Sequence, residues 1–402
     1  MKKTYFILLI ITGLFVFSIS CRKTNVNKAL IVTGQNNTDW GESTPVLKQI
    51  LEQTGLFSCD IATSPAKGGD MRTFSPSFQK YKLVVLNYTG DSWSEETKSA
   101  FIDYVVNGGG IVVYHASSSA FPDWKEYHGI CGLGGWGSRT HDHGVCVYYL
   151  NNQVVIDTAS FPSGRPGEIK DFEIKSRNIN HPVTRGLPAR WMHAEDVLYS
   201  GLRGTAENLE ILATAYCDTT GGGTGRDEPV LMAITYGKGR IFHTTLGYPE
   251  KGGGAAMQSV GFIATLQRGA EWAATGEVTQ QVPFDFPSAS GVVLRQNYET
   301  LTLENDFKNI TSYEIGKSTK YITDIQSWIR DAAGDQNKLL SIEKMMVNVL
   351  RDSRATSESK RLMLRELSWM GSQYSLPVIK NMVSDPDLKE EAEFALERLN
   401  IK

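Results

Sequence analysis

The sequence predicts an α/β fold built on a parallel sheet and followed by an all-helical region. Up to about residue 277, apolar strand-like runs alternate with amphipathic stretches of helical periodicity. The strand-like runs are apolar at nearly every position, which is typical of parallel strands covered by helices on both faces. After residue 311 only helical periodicity remains.

The first part of the chain supplies three strand-like runs and two helical patterns. Residues 28–32 form an apolar run that leads through a polar loop to a helical pattern at 44–54. A second run at 81–87 is followed by a helical pattern at 93–107, and a third strand is predicted at 110–114. Ligands bind beyond the carboxyl ends of the strands in such sheets. The loops that follow these strands are therefore where we expect functional residues.

The apolar pattern from which strands and helices are predicted is weaker in the middle of the chain, between residues 144 and 180. There we predict only short β-like pieces, at 145–150 and 153–156. Core strands are predicted again at 211–216 and 240–246, and the helical run 259–274 closes the domain.

A linker and a helical domain are predicted for the rest of the chain. Proline and glycine interrupt any helical pattern within residues 278–310, which we interpret as the linker. Within residues 311–402, the segment 375–388 (SLPVIKNMVSDPDL) and the closing ALERL at 395–399 resemble a HEAT-type repeat. Stacked helix pairs of this kind make binding surfaces, so we expect a protein partner for these helices.

Composition narrows the classes of function. The chain of 402 residues is 41% hydrophobic and 21% charged, which excludes wholesale disorder and a multi-span membrane protein. Its net charge of −3 and pI near 6.2 provide no basic face for phosphates, which argues against nucleic acid as the main partner. A small molecule remains the expected ligand.

The N-terminus predicts export. Lys2 and Lys3 precede a mainly apolar run at 5–19 that ends just before Cys21. We interpret residues 1–21 as a lipoprotein signal peptide, so that the chain is exported and lipid-anchored through Cys21, in the periplasm or at the cell surface. The competing interpretation is an uncleaved membrane helix, but the run is shorter than the roughly 17 to 25 residues that a spanning helix needs.

The cysteines indicate no metal motif. No CxxC pair occurs, which excludes a zinc ribbon. An exported protein could form disulfide bonds, but in a domain of this size we expect the cysteines to be scattered, buried thiols. The four residues concerned are Cys59, Cys131, Cys146 and Cys217.

Histidines are concentrated near the predicted strand ends. Six of the seven fall in or beside these segments: His115, His128, His141, His143, His193 and His243. His115 directly follows the strand at 110–114, at a strand-to-helix turn that would present its side chain to a ligand.

Acid–base chemistry is predicted for His193 and Asp196. An imidazole beside carboxylates supplies the residue types that proton transfer near neutral pH requires. The alternative is that Asp196 and Tyr199 tie down a loop. His243 alternates with Ile241 on a predicted core strand, so a hydrogen-bonded core histidine is as compatible with the pattern as a functional one.

His141 and His143 are a candidate metal pair. In an extended segment, residues two apart lie on one face and could bind a divalent metal, with His193, Asp196 or His115 completing the coordination shell. The alternative is two polar loop histidines bonded to backbone or to a ligand. No cofactor other than this metal is expected.

Aromatic side chains beside carboxylates suggest carbohydrate binding. Asp39 and Trp40 follow the first strand, and Asp123 and Trp124 follow His115. Such pairs can stack on the C–H faces of a sugar and bond its hydroxyls. The alternative is that Trp124 packs a helix against the sheet.

An ordered series of short motifs between residues 27 and 277 resembles the ThuA-like, or trehalose-utilisation, family. The motifs are VVLNY at 84–88, GGIVVYHA at 109–116, FPDWKEY at 121–127, HPVTRGL at 181–187, DVLY at 196–199, PVLM at 229–232, YGKGRIF at 236–242 and RGAEWA at 268–273. Each motif is weak by itself, but their order is specific.

The resemblance implies a flavodoxin-like sheet of the kind found in class I glutamine amidotransferases. His115 stands where those enzymes hold the nucleophilic cysteine, so glutamine hydrolysis through a thiolate is not expected. Tyr248 stands where the family usually has a histidine, which weakens any role for a second imidazole there. His243 and Tyr248 are counted with Trp40, Asp39, Asp123 and Trp124 as candidate substrate-binding residues.

Two functions of different classes follow. The first is an exported carbohydrate-processing enzyme, a hydrolase or lyase acting on a glycoside or an oxidised (keto) sugar, with His193, Asp196 and His115 as catalytic candidates. The second is a noncatalytic sugar-binding or scaffold lipoprotein. A converging histidine cluster beside a roomy pocket would favour the enzyme.

Overall fold

A computed structural model describes residues 26–135, 139–159, 164–220, 222–250, 254–283, 285–295 and 303–400. The predicted signal peptide at residues 1–21 lies outside these ranges. Within them, no helix has both the length and the apolar character needed to cross a membrane.

The strands join one sheet. In chain order they are β1 (Asn27–Thr33), β2 (Phe57–Thr63), β3 (Leu83–Leu86), β4 (Gly110–Tyr114), β5 (Val145–Leu150), β6 (Gln153–Asp157), β7 (Arg165–Ser176), β8 (Arg190–Ser200), β9 (Arg203–Gly204), β10 (Leu209–Cys217), β11 (Arg226–Tyr236) and β12 (Gly239–Thr244). Five neighbouring strands are parallel, in the order β2-β1-β3-β4-β12. This is the strand order of the flavodoxin-like doubly wound fold, so the predicted α/β class is confirmed.

The other half of the sheet is antiparallel. From β12 the order continues through β11, β10, β7 and β8, while β5 pairs with β6, β9 and β11. The β-like pieces predicted at 145–150 and 153–156 correspond to β5 and β6, whereas the sequence did not predict β2, β7, β8 or β11. Strand β7 was missed because its residues 165–171 are all exposed and show no alternation of apolar and polar residues.

Helices cover both faces of the parallel half. They are α1 (Trp40–Glu52), α2 (Glu95–Val106), α3 (Lys125–Cys131), α4 (Gly254–Gln258) and α5 (Val260–Thr275). Successive strand residues alternate between two cores: Ile31 packs on the side of α1 and α5, whereas Leu30 and Val32 pack on the side of α2 and α3. Burial on both faces explains why the strands are continuously apolar.

Six further helices have a separate hydrophobic core. They are α6 (Leu303–Ile310), α7 (Lys320–Asp331), α8 (Gln336–Arg351), α9 (Ser357–Met370), α10 (Leu376–Met382) and α11 (Lys389–Asn400). Helix α6 starts inside the stretch predicted as a linker, and Leu303 is wholly buried in this core. The C-terminal region is therefore helical as predicted, while its assignment to HEAT-type repeats stays a prediction.

All four cysteines of the described ranges are free and buried. This agrees with the expectation of scattered core thiols.

Candidate functional site

His115 directly follows β4 and has an unusual backbone conformation. Its φ is +47°, in the left-handed region that residues other than glycine rarely adopt, and it begins a short 3₁₀ turn that runs to Ser119. Its side chain is 1% exposed. Strained backbone of this kind clusters at functional sites.

Several buried polar atoms at the ends of β4 and β12 have no hydrogen-bond partner in the protein. They are both ring nitrogens of His115, the Oγ of Ser119, the Nε2 of His243 and the Oγ1 of Thr245. The strand register pairs Tyr114 with Thr244, which places Thr245 level with His115 at the carboxyl end of the sheet. Leaving a buried polar group unpaired costs about 1–3 kcal/mol. The arrangement is suited to a polar ligand.

Both imidazoles of this group are neutral at physiological pH. Burial lowers the pKa of His115 to about 4, although the nearby Asp196 carboxylate acts in the opposite direction. Burial also lowers the pKa of His243 to about 4, against the effect of its Nδ1 hydrogen bond with the Cys131 carbonyl. A neutral imidazole can accept a proton.

Three tyrosine rings surround the His115 ring. The centroid distances are 5.0 Å to Tyr199, 5.7 Å to Tyr248 and 5.8 Å to Tyr114. Tyr248, predicted as a substrate-binding residue, is therefore beside His115, and it is half-buried rather than fully enclosed.

The Asp196 carboxylate is fully occupied by hydrogen bonds. Its Oδ2 accepts from the Nε2 of His193 at 2.7 Å and from the amide of Gly247 at 2.6 Å. Its Oδ1 accepts from the amides of Val197 at 2.7 Å and Tyr248 at 3.1 Å. These bonds tie β8 to the turn after β12, and this turn carries Tyr248. We call this set of contacts the Asp196 clamp.

His193 links Asp196 to a serine that the sequence did not indicate. Its Nδ1 lies 3.1 Å from the Oγ of Ser259, which gives the connectivity of a Ser–His–Asp triad. All three side chains are wholly buried, however, and both nitrogens of His193 are engaged by its two partners. Burial would raise the pKa of Asp196, but the hydrogen bond from His193 and the neighbouring imidazoles outweigh it and hold the pKa below its ordinary value.

His193 and Asp196, the predicted acid–base pair, are thus in contact with each other, but both side chains are buried. His193 and Asp196 have partners for each of their polar side-chain atoms, which fits the alternative that they fix local structure. His115, the third catalytic candidate, is the one whose ring nitrogens remain available.

The metal prediction assumed the wrong local structure. His141 and His143 lie in a 3₁₀ turn and not in an extended segment, so they do not share one face. The Nδ1 of His143 accepts the amide of Thr140 at 3.1 Å. In the described part of the chain, no three His, Cys, Asp or Glu side chains are grouped to hold a metal, and we derive no step through one.

The aromatic–carboxylate pairs do not form one lining. Asp39 is the N-cap of α1, where its side chain accepts the amide of Glu42, and Trp40 is the first residue of that helix. Trp124 is 7% exposed and packs in an aromatic cluster with Trp93, Phe101, Phe121 and Tyr127. Its predicted role in sugar stacking is therefore wrong for this structure. Asp123 is exposed beside it.

Sequence reasoning also passed over Arg139 and gave no role to His128. Arg139 is buried, and its guanidinium donates to the carbonyls of Ser118 at 3.0 Å and Arg203 at 2.9 Å. It lowers the pKa of both His128 and His243. Neither the arginine nor Ser259 stands in a recognisable motif, because their partners are distant in sequence.

Comparisons with known proteins agree with the fold. The family profile for ThuA, described as trehalose utilisation, matches residues 28–273. A putative ThuA-like protein of Parabacteroides merdae is 47% identical, with a TM-score of 0.67, over 68% of this chain and 99% of that one. No curated protein matches the sequence.

Two more distant structures were also found. A putative ThuA-like protein of Bacteroides uniformis is 19% identical, with a TM-score of 0.42, over 63% of this chain and 93% of that one. A cytoplasmic protein of Salmonella typhimurium is 11% identical, with a TM-score of 0.39, over 61% of this chain and 98% of that one.

Replacing Asp196 should destabilise the fold. Asp196→Asn removes the charge and one of the two acceptor oxygens, which leaves buried donors unpaired, and we expect the free energy of unfolding to fall by about 3 kcal/mol. Urea denaturation measures this. Asp171→Asn is the matched control, because Asp171 is exposed and accepts a single amide, that of Glu195. An equal effect of the two substitutions would contradict the clamp.

Stability should depend on pH through the buried histidines. His115 and His243 have pKa values of about 4 in the fold and an ordinary value of 6.5. The unfolded chain therefore binds protons first as the pH falls. The contribution of these two histidines to the free energy of unfolding should be fully present above pH 6.5. It should be lost progressively as the pH falls from 6.5 to 4.

His243→Phe should remove up to about 1.4 kcal/mol per pH unit from that slope. Chemical denaturation at a series of pH values measures it. An unchanged slope would mean that His243 is not held neutral in the folded state.

Proposed function

The chain belongs to the ThuA family, which is linked to trehalose utilisation, and from this membership we propose that it is an enzyme acting on a sugar or sugar derivative. In this proposal His115 is the proton acceptor. Tyr248 and Tyr199 line its two sides, and the Asp196 clamp fixes their positions.

The observation that carries the proposal is the state of His115. A buried imidazole normally bonds at one or both nitrogens, because an unpaired polar atom is costly. Here both nitrogens lack a protein partner, and burial holds the pKa of the ring near 4. The ring is therefore neutral at physiological pH, and both of its nitrogens are unpaired within the protein.

Asp196 supports proton transfer without contacting the substrate. Its negative charge favours the protonated form of His115, as the direction of its effect on the pKa indicates. An imidazolium formed during reaction would thus be stabilised by a fixed charge nearby. His193 and Ser259 are positioning residues in this scheme, because they hold the carboxylate in place.

A single base fits elimination better than paired-carboxylate hydrolysis. Glycosidases commonly need two carboxyl groups on either side of the bond, and Asp196 is saturated by protein donors. In an oxidised sugar, the carbon beside the carbonyl is acidic enough for one base. His115 would take that proton, the electron pair would form a double bond, and the glycosidic C–O bond would break. The departing oxygen takes a proton from Tyr248 or water.

A noncatalytic sugar-binding protein is the second candidate. Enclosure favours it, since His193, Asp196 and His115 are all buried, with 1% exposure or less. The first experiment below separates the two.

Export remains part of the proposal. The basic N-terminus, the apolar run and Cys21 support a lipid-anchored protein of the periplasm or cell surface. The C-terminal helices, with a core of their own, would then be available to a protein partner, as stacked helix pairs commonly are.

Substituting His115 should abolish turnover while leaving the fold intact. Asparagine tolerates the left-handed backbone but cannot take up a proton, so we expect His115→Asn to lower kcat at least about a hundredfold. Product release from trehalose, glucosides and keto-glycosides by the full chain measures this. Asp103→Asn, on the exposed side of α2, is the control and should retain kcat. Sugar binding without turnover by the unsubstituted chain would favour the noncatalytic candidate.

Substituting Cys21 should release the protein from membranes. Only a cysteine can receive the lipid, so Cys21→Ser should abolish fatty-acid labelling and move the protein from the membrane to the soluble fraction or to an uncleaved form. The four buried cysteines supply the control, because Cys217→Ser should leave labelling unchanged. Equal labelling of both variants would contradict the lipoprotein assignment.

A further inference from the structure

A polar cleft opens beside the start of α3. Its volume is about 480 Å³, within the 300–1,000 Å³ that small-molecule sites usually span. Six polar or charged side chains line the cleft: Asp123, Lys125, His128, Asp142, His143 and Thr205. They come from three separate segments, so no motif in the sequence predicts the cleft.

The fold fixes which nitrogen of His128 carries the proton. Its Nε2 lies 3.0 Å from the carbonyl oxygen of Phe121, and a carbonyl can only accept. The Nε2 is therefore the donor and the Nδ1 is an acceptor. Burial and the Arg139 guanidinium lower the pKa of His128 to about 4, so the ring stays neutral and keeps this acceptor.

The fold fixes the opposite arrangement in His143. The amide of Thr140 donates to its Nδ1 at 3.1 Å, so this nitrogen is an acceptor and the N–H of the ring is on Nε2. The two rings are 6.1 Å apart between centroids. The cleft is thus lined by two imidazoles whose other ring nitrogens are an acceptor in His128 and a donor in His143, each set by a backbone group.

We propose that this cleft binds the hydroxyl groups of a sugar through His128 and His143. A hydroxyl both donates and accepts a hydrogen bond, which matches an acceptor and a donor placed next to each other. The carboxylates of Asp123 and Asp142 accept from further hydroxyls, and Thr205 and Lys125 donate to them. Two carboxylates against one ammonium disfavour a phosphate or another anion at the same place.

Arg139 contacts the turn that carries His115, because its guanidinium donates to the carbonyl of Ser118 at 3.0 Å in the 3₁₀ turn that begins at His115. On the cleft side, burial and this guanidinium lower the pKa of His128. Because the inference rests on the proposed function for the identity of the ligand, the cleft is the binding subsite for the part of the sugar that does not react.

Nitrogen NMR of the histidine side chains tests the inference directly. The full chain, labelled with ¹⁵N-histidine, is titrated with trehalose and, separately, with inorganic phosphate. We expect trehalose to shift the signals of His128 and His143 saturably. The signals of His181, which packs on Trp272 with a ring distance of 4.8 Å, should stay in place. Phosphate should shift none of them.

A substitution provides the second measurement. His143→Phe keeps the ring shape but loses the donor and the backbone acceptor, and we expect it to raise the trehalose Kd about tenfold or more. Asp171→Asn, exposed and outside the cleft, should not change the Kd. In turnover assays His143→Phe should raise KM, with kcat at saturation retained.

The outcomes separate this inference from the proposed function. Trehalose binding that leaves both histidine signals unmoved, an unchanged Kd in His143→Phe, no trehalose binding at all, or a response to phosphate alone would each overturn the cleft as a sugar site. Binding at the cleft without turnover by the unsubstituted chain would overturn the enzymatic proposal and leave the cleft standing.

Discussion

The buried Asp196 carboxylate is the interaction on which the rest of the site depends. It accepts four hydrogen bonds, from His193 and from the amides of Val197, Gly247 and Tyr248. A buried charge is tolerated only when it is well paired, so the donors and the carboxylate must be assembled together. The antiparallel strand β8 is in this way joined to the turn that follows the parallel strand β12.

The same constraint assigns different roles to residues of the same chemical type. His193 is saturated by Asp196 and Ser259 and acts as support, whereas His115 keeps both nitrogens unpaired at the carboxyl end of β4. The negative charge that the clamp holds in place also favours protonation of His115. Hydrogen-bond saturation therefore turns the apparent acid–base pair into positioning residues and leaves His115, with unpaired nitrogens, as the reactive candidate.

Backbone groups determine the chemistry of the neighbouring cleft. The Phe121 carbonyl and the Thr140 amide select opposite tautomers in His128 and His143. The two imidazoles are thus arranged as one acceptor and one donor. This arrangement is suited to hydroxyl groups, which both donate and accept hydrogen bonds.

The sequence by itself determined four of the five parallel strands, all but β2, and the place of His115, because both depend on local patterns: continuous apolar runs and a histidine directly after one of them. It did not find β7, whose first seven residues are exposed, nor the amides of Gly247 and Tyr248 that bind Asp196, since Gly247 is 51 residues away. Only the tertiary structure decided that Trp124 packs in a core, that His193 is enclosed and that His115 is unpaired. Burial and hydrogen-bond saturation arise from contacts between distant segments, and no local pattern in the chain records them.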